Sequence, residues 1–314
     1  MRVQEALMAL SLWILPALLP AYEVNEHLAL NALLKGVYQY GDFKTLDNQG
    51  QGAIGLDLEL DFNPTPADGL LVLLRFADDN ALNDHWPGGL APFAHDLEAD
   101  LDHINGSQRA HLLEARYTHT FSLSSSQSLA LSAGILDSSV FLDDNAYAND
   151  ELGQFMNDAL VNNPVVNLPS YDSGAHLHFN SGAWDLSSVV MHSQTGDEAD
   201  HSFNYYGFQL ARTLQLPSGV GHYRLMSYAT SEDFLSANAQ QFARLQGWNI
   251  STDQIVTEGI GVFWRYGQQQ EDAAVDYRAL WALGLNLNGG FWGRDNDEFG
   301  FGYAQLDGGN GDIE

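Results

Sequence analysis

Gly52-Ala-Ile-Gly-Leu-Asp-Leu-Glu-Leu-Asp-Phe62 is the stretch of this chain that decides the fold. The even-numbered residues from 54 to 62 are apolar, and the carboxylates between them are Asp57, Glu59 and Asp61. Because successive side chains of a β-strand point to opposite faces, one face of this strand is hydrocarbon and the other is acidic. A soluble sheet can show the same pattern when its apolar face packs on a core. Its recurrence along the chain, behind an apolar leader, indicates lipid on one face and water on the other.

The composition excludes several classes of protein. The 314 residues include no cysteine, which rules out disulfide bonds and thiolate metal sites. The 41 acidic residues outnumber the 12 Lys and Arg residues, so the formal charge is −29. Such acidity argues against nucleic-acid partners, which require clustered Lys and Arg. The chain is 45% hydrophobic, which argues against disorder.

An apolar run occupies residues 6–21, behind Arg2. The run is shorter than the roughly 20 residues that a membrane-spanning helix needs. We therefore expect a secretory signal peptide over residues 1–21, cleaved after Ala21, and one domain over residues 22–314. A membrane anchor or an uncleaved core helix are the alternatives for this run. No long apolar run follows residue 34, which excludes a helical membrane protein but not a β-barrel.

The rest of the chain alternates between candidate strands and turns. Short turns rich in Gly, Pro, Asn and Ser contrast with three long loops over residues 78–109, 137–172 and 231–254. Short turns at one end and long loops at the other are typical of outer-membrane barrels, and aromatic residues near strand ends are typical of their interfacial girdles. We predict about twelve strands, over residues 28–40, 52–62, 70–77, 110–121, 128–136, 173–180, 183–192, 204–214, 221–229, 255–266, 277–287 and 298–306.

The second long loop contains a further pattern. Apolar residues at helical spacing predict a helix from Asn149 to Val161, with Asn149 as its N-cap. A short helix inside a long loop needs a surface to pack on. In a barrel that surface is the inner wall, so we expect this loop to form a constriction inside the pore.

Five motifs follow one another along the chain: Asp144-Asn-Ala-Tyr-Ala-Asn-Asp-Glu151, Ala159-Leu-Val-Asn-Asn-Pro164, Gly221-His-Tyr-Arg-Leu225, Phe263-Trp-Arg-Tyr-Gly267 and Gly293-Arg-Asp-Asn-Asp297. This ordered set resembles the carbohydrate-selective porins of the OprB type, and the resemblance runs from about residue 28 to 306. It implies an all-β fold, an antiparallel transmembrane β-barrel that commonly has 16 strands. It also implies passive diffusion of sugars across the cell outer membrane of a Gram-negative-type bacterium.

Two features differ from that family. The chain ends on the loop-like segment 308–314, whereas such barrels usually finish on a strand with a terminal aromatic residue. We therefore expect that the sequence is C-terminally truncated and lacks the last strands. The family is also described with basic residues in its constriction, and this chain is poor in them.

Strand parity assigns side chains to the pore. In the segment 112–121, Glu114 and Arg116 would face the lumen, while Leu113 and Tyr117 would face lipid. His176 and His178 share one strand face and are predicted to line the pore; no third ligand is apparent, so we predict no metal site. The candidate pore-lining and substrate contacts are Arg75, Glu114, Arg116, Asn149, Asp150 and Glu151.

No pattern indicates catalysis. The chain has no cysteine nucleophile, no Gly-x-Ser-x-Gly elbow and no phosphate-binding glycine loop, so we predict neither an enzyme nor a cofactor. The predicted function is carbohydrate-selective diffusion of mono- or oligosaccharides, with outer-membrane lipid around the barrel. The alternative is a secreted all-β, lectin-like carbohydrate-binding protein. Parity does not decide between a monomer and a homo-oligomer, because a subunit interface is also apolar.

Overall fold

The computed structural model describes residues 12–42, 48–83, 97, 101–107, 109–194, 202–236 and 241–308, with the backbone alone for residues 12–21. Within these ranges, fourteen strands form one antiparallel sheet in which each strand pairs with the next along the chain. The strands are β1 (Leu12–Asn25), β2 (Leu28–Gly41), β3 (Gln49–Thr65), β4 (Asp68–Asp78), β5 (Leu112–Ser124), β6 (Gln127–Leu136), β7 (Asp172–Ser181), β8 (Trp184–Gln194), β9 (Ser202–Leu216), β10 (Gly219–Leu235), β11 (Phe242–Thr257), β12 (Ile260–Gln269), β13 (Tyr277–Asn288) and β14 (Glu298–Gly308).

The connections at the two ends of the sheet differ in length. Two-residue turns join β1 to β2, β3 to β4, β5 to β6, β7 to β8, β9 to β10 and β11 to β12, and we call this the short-turn end. The opposite, long-loop end carries the connections 79–111 and 137–171. This is the predicted arrangement of short and long connections.

The strand prediction was wrong in one region. Residues 231–254, predicted as a loop, contain the end of β10 and most of β11, and the predicted strand 255–266 spans the turn between β11 and β12. The alternation of apolar and polar residues is not visible in the sequence of β11. The inward residues Asn249, Ser251 and Asp253 are polar, but so are Thr252 and Gln254 on the other face. The sheet also contains β1, which overlaps the predicted leader; cleavage after Ala21 stays a prediction.

The outer face of the sheet is apolar. On β3, Leu58 is 38% exposed whereas its neighbour Asp57 is 9% exposed, so the parity read from the sequence holds there. The described part of the chain contains no helix that could cross a membrane. Other large apolar side chains exposed on this face are Leu30, Phe62, Phe76, Tyr117, Phe121, Trp184, Phe208, Leu225, Trp264, Leu283, Phe301 and Tyr303.

The connection 137–171, which we call the inner loop, lies against the other face of the sheet. Its Met156 accepts a hydrogen bond from Gln39 of β2 at 3.1 Å. At the far side of the sheet, a Cβ on Gly302 of β14 would lie 2.9 Å from the inner loop's Leu160. Because strands near both edges of the sheet contact one loop from the same face, the sheet curves around that loop.

The core of the protein lies between the inner loop and the inner face of the sheet, which we call the wall. Leu142 and Val166 of the loop pack with Val189, Met191 and Tyr205 of the wall, and all five side chains are at most 1% exposed. A second cluster joins the loop residues Ala148, Ala159 and Val165 to the wall residues Phe263, Leu280, Ala282 and Leu306. The predicted packing of the loop on the inner wall is therefore present.

The helix predicted from Asn149 to Val161 was wrong in length and in its cap. Only α1 (Asp158–Val161) is helical, and the side chain of Asn157 accepts the capping hydrogen bond from the Ala159 amide. Upstream, the Asp150 side chain accepts hydrogen bonds from the Leu152 and Gly153 amides at 2.7 and 2.5 Å. These bonds cap a single turn over residues 151–154, and the chain leaves the helical conformation until α1.

Candidate functional site

The inner loop is fixed to the wall by a buried arginine. Arg265 of β12 is fully buried and donates hydrogen bonds to the carbonyls of Val161 (2.7 Å) and Asp143 (3.0 Å). Its guanidinium lies 3.7 Å from the Asp143 carboxylate. That carboxylate also accepts hydrogen bonds from the Asn163 amide, at 2.6 Å, and from the side chain of Asn249. One arginine thereby holds both the beginning of the loop and the end of α1.

A second arginine fixes the adjacent loop residue. Arg224 of β10 makes a two-pronged contact with Asp144, at 2.8 and 3.0 Å, and bonds Asp253 of β11 at 2.6 Å. Paired contacts of this kind hold direction as well as distance, because the guanidinium is planar. The next loop residue, Asn145, donates to the Ser251 hydroxyl at 3.1 Å. Three consecutive residues of the loop are thus bonded to the wall.

Glycines in the wall make room for the loop. Any side chain at Gly261 of β12 would overlap the ring of the loop residue Tyr147, and one at Gly302 would press on Leu160. The absence of these side chains lets the loop backbone approach the sheet closely.

A cavity of about 870 Å³ remains between the inner loop and the opposite part of the wall. We call it the loop cavity. Its lining combines cationic, acidic, amide and aromatic groups. The lining includes Arg75, Glu114, Asn149, Glu151, Asp158, Asn162 and Tyr171.

Arg75 is held in that lining by a buried ion cluster. Both Arg75 and Lys35 contact Asp57: the Arg75 guanidinium bonds the two carboxylate oxygens at 2.7 and 2.8 Å, and the Lys35 ammonium lies 2.8 Å away. All three residues are less than 10% exposed. Two cations around one carboxylate leave a net positive charge on this part of the wall.

The comparisons with known proteins assign the family. The model described as "Carbohydrate-selective porin, OprB family" matches residues 44–311. The chain belongs to the OprB family. A protein of Aquifex aeolicus (strain VF5), described as uncharacterized, is 32% identical over 216 residues, which are 68% of this chain and 59% of that protein. The OprB-family chain thus spans less than two thirds of the length of that relative.

A solved structure supports the same fold. The structure titled "High pH structure of Pseudomonas putida OprB" matches with a TM-score of 0.71 over 90% of this chain and 76% of the other, at 13% sequence identity. The all-β, antiparallel porin fold is therefore confirmed, and the family places this chain in the outer membrane of a Gram-negative-type bacterium. Nothing in the comparisons supports the lectin-like alternative.

The structure brings together four of the six contacts predicted for this OprB-family chain. Arg75, Glu114, Asn149 and Glu151 line the loop cavity, whereas Arg116 and Asp150 do not. As the parity predicted, Arg116 lies beside Glu114, with its guanidinium 2.5 Å from the carboxylate. Asp150 is occupied by the turn that it caps.

The expectation that Leu113 faces lipid was wrong. Leu113 is only 2% exposed and lines the loop cavity. The pairing of β4 with β5 is irregular here, because Leu73 pairs with Glu114 while Leu74 pairs with Leu112. A bulge of this kind shifts the side-chain parity by one residue.

Burial alters the titration of the loop carboxyls. Loss of hydration raises the pKa of the Asp158 carboxyl to about 6, and it also raises the pKa of Glu151 above its usual range. The same cause raises the pKa of Tyr171, which therefore stays a neutral hydroxyl. Near pH 6, part of the Asp158 population is protonated and can donate a hydrogen bond as well as accept one.

Arg265 and Arg224, the two arginines that hold the inner loop, were not among the predicted site residues. Strand parity could have indicated Arg265: Trp264 and Tyr266 are aromatic neighbours on the outer face, which directs Arg265 inward. A lone arginine in mid-strand on the water face then needs a partner, and the loop supplies Asp143. Sequence spacing alone could not identify that partner, because the two residues lie far apart in the chain.

His176 and His178 face the inner side, as predicted. His176 is 7% exposed and stacks on the ring of the loop residue Phe141, with ring centroids 3.9 Å apart. His178 lines a second, smaller cavity towards the short-turn end. Among the residues that the structure describes, no group of three or more His, Cys, Asp or Glu side chains is arranged to hold a metal ion.

Proposed function

We propose that this chain forms an outer-membrane channel through which mono- or oligosaccharides diffuse passively, and that it carries out no chemical step. The observation that carries the proposal is the inner loop, which is clamped inside a curved sheet and leaves a polar cavity beside it. A loop fixed in this way sets the width of a pore. Lipid of the outer membrane would surround the apolar outer face.

The loop cavity suits sugar hydroxyls, each of which can both donate and accept hydrogen bonds. The Arg75 guanidinium supplies donors, the carboxyls of Glu114 and Glu151 supply acceptors, and the amide of Asn149 supplies both. Its volume of about 870 Å³ lies in the range of about 300–1,000 Å³ that is usual for small-molecule sites. We assign these four residues as solute contacts.

The other two predicted residues have indirect roles in this proposal. Arg116 holds Glu114 through their 2.5 Å ion pair and lies over the ring of the loop residue Phe141, 5.2 Å from its centroid. Asp150 shapes the turn that carries Asn149 and Glu151 into the cavity. Both would act by positioning the contacts.

Sugar uptake into liposomes that carry the full-length chain tests the proposal. Uncharged sugars should enter faster than into empty vesicles, and faster than zwitterionic amino acids of similar size. Asn149→Ala should slow sugar entry, whereas Asn25→Ala, at the exposed short-turn end of β1 and outside the loop cavity lining, should leave it unchanged. Rates equal to those of empty vesicles would overturn the proposal.

A further inference from the structure

A second cavity, of about 290 Å³, lies on the short-turn side of the inner loop. We call it the short-turn cavity. Its lining residues His178 and Asp185 stand on either side of the turn between β7 and β8, and His222 follows the turn between β9 and β10. Val140 of the inner loop lines both cavities, so the two are neighbours along the lumen.

Two histidines in this cavity are each bonded to a carboxylate through one ring nitrogen. The Nε2 atom of His178 lies 3.2 Å from the Asp185 Oδ1, and the Nδ1 atom of His222 lies 2.6 Å from the Asp253 Oδ1. Asn180 donates to the same Asp185 oxygen at 2.8 Å. The side chains of His178, Asp185 and His222 are 39%, 32% and 37% exposed, so they are accessible from the lumen.

These bonds determine what the cavity offers to a solute. A neutral imidazole that donates from one nitrogen presents a lone pair on the other. In the described part of the chain, no hydrogen bond involves the Nδ1 atom of His178, the Nε2 atom of His222 or the Oδ2 atom of Asp185. Three acceptors therefore line one small cavity, and they suit a solute that carries several hydroxyl donors.

The surroundings argue against an anionic solute and against a bound metal ion. Arg224 lines the short-turn cavity, but its guanidinium is neutralised by Asp144 and Asp253, so it adds little attraction for anions. The described histidines and carboxylates include no three-ligand arrangement for a metal ion. The volume lies at the lower end of the range for small-molecule sites, which suits one sugar ring.

We infer that the short-turn cavity is a second sugar-binding site, which receives a single sugar ring after it has passed the inner loop. This inference rests on the proposed function. Two weak binding sites in series would give a solute that leaves the loop cavity a second site nearby, so that it need not cross the rest of the lumen in one step. Passage through a channel requires each site to release its solute readily.

Glucose-induced block of the ion current through the full-length chain in planar bilayers tests the inference. The double variant His178→Ala/His222→Ala should bind glucose about tenfold more weakly, because it loses two hydrogen bonds. The block is measured relative to each variant's own sugar-free current. His178→Gln/His222→Gln, which keeps an acceptor at each position, should recover part of the affinity.

His192→Ala is the matched control, because His192 lies on the exposed face of β8 and does not line the cavity. It should bind glucose as the unaltered chain does. Equal affinity in the double variant and in the unaltered chain would overturn the inference. Block by micromolar Zn²⁺ that vanishes in the double variant, with glucose affinity unchanged, would show a cation site instead. Failure of the proposed function would show differently, as an absence of sugar entry in the unaltered chain.

Discussion

Replacing Arg265 by methionine should release the inner loop from the wall. Methionine fills a similar volume but removes the hydrogen bonds to the Val161 and Asp143 carbonyls and the charge beside the Asp143 carboxylate. Both members of this ion pair are fully buried. Breaking one partner of such a pair typically costs about 3–5 kcal/mol, because the other charge stays buried without its counterion.

The cost falls on loop docking, because the strand ladders on either side of Arg265 consist of backbone bonds that methionine keeps. A loss of about 3 kcal/mol lowers the ratio of docked to released loop more than about a hundredfold. Single-channel recording should therefore show a larger conductance than the unaltered chain. Liposome uptake should discriminate less between mono- and oligosaccharides.

Two further variants make the prediction sharp. Asp143→Asn/Arg265→Met removes both charges and should recover much of the docking, because an uncharged buried pair has no such penalty. Arg244→Met breaks an ion pair with Asp233 whose members are about half exposed, and it should change nothing, because exposed pairs contribute about 0–1 kcal/mol. Unaltered conductance and sugar selectivity in Arg265→Met, with normal β-sheet content by circular dichroism, would refute the reasoning.

Three other predictions follow from the same structure. Burial raises the pKa of Asp158 to about 6, so its neutral form stabilises loop docking below about pH 4, and this stabilisation is lost as the pH rises through 6. Reversal potentials should show a cation preference that rises between pH 5 and 7, because the carboxyl becomes charged. Asp158→Asn should flatten that rise. Gly302→Val should push Leu160 off the wall and increase conductance, since even a Cβ would lie 2.9 Å from that side chain; an unchanged conductance would contradict the close approach. Spin labels at Leu58 and Glu59 in bilayers should report oxygen contact and water contact respectively, and identical surroundings at both would disprove the two-faced strand.

The strand pattern was predictable wherever the outer face is consistently apolar. In β3 the leucines and carboxylates alternate without a break, and the structure keeps that parity. β11 was missed because its inner residues are small and polar to receive the loop, and its outer residues include Thr252 and Gln254. The error at Leu113 came from a bulge, which cannot be recognised from the alternation of residues in the sequence.

The site was less predictable than the fold. Arg75, Glu114, Asn149 and Glu151 were found because they are polar residues on a water-facing strand or in the long loop. The contacts that hold the inner loop depend on residues that meet only after the sheet has curved, such as Arg224 with Asp144. The turn that Asp150 caps, in place of the first part of the predicted helix, also depends on backbone geometry that residue spacing does not reveal.

The inner loop leaves and rejoins the sheet at one place. Leu136 and Asp172, its flanking residues, are register partners in adjacent strands. Its two attachment points would therefore stay side by side whatever sequence connected them, and a graft of different length would not disturb the surrounding strand register. A replacement segment that keeps the partners of Arg224 and Arg265 could thus alter what the channel admits without a change in the strands.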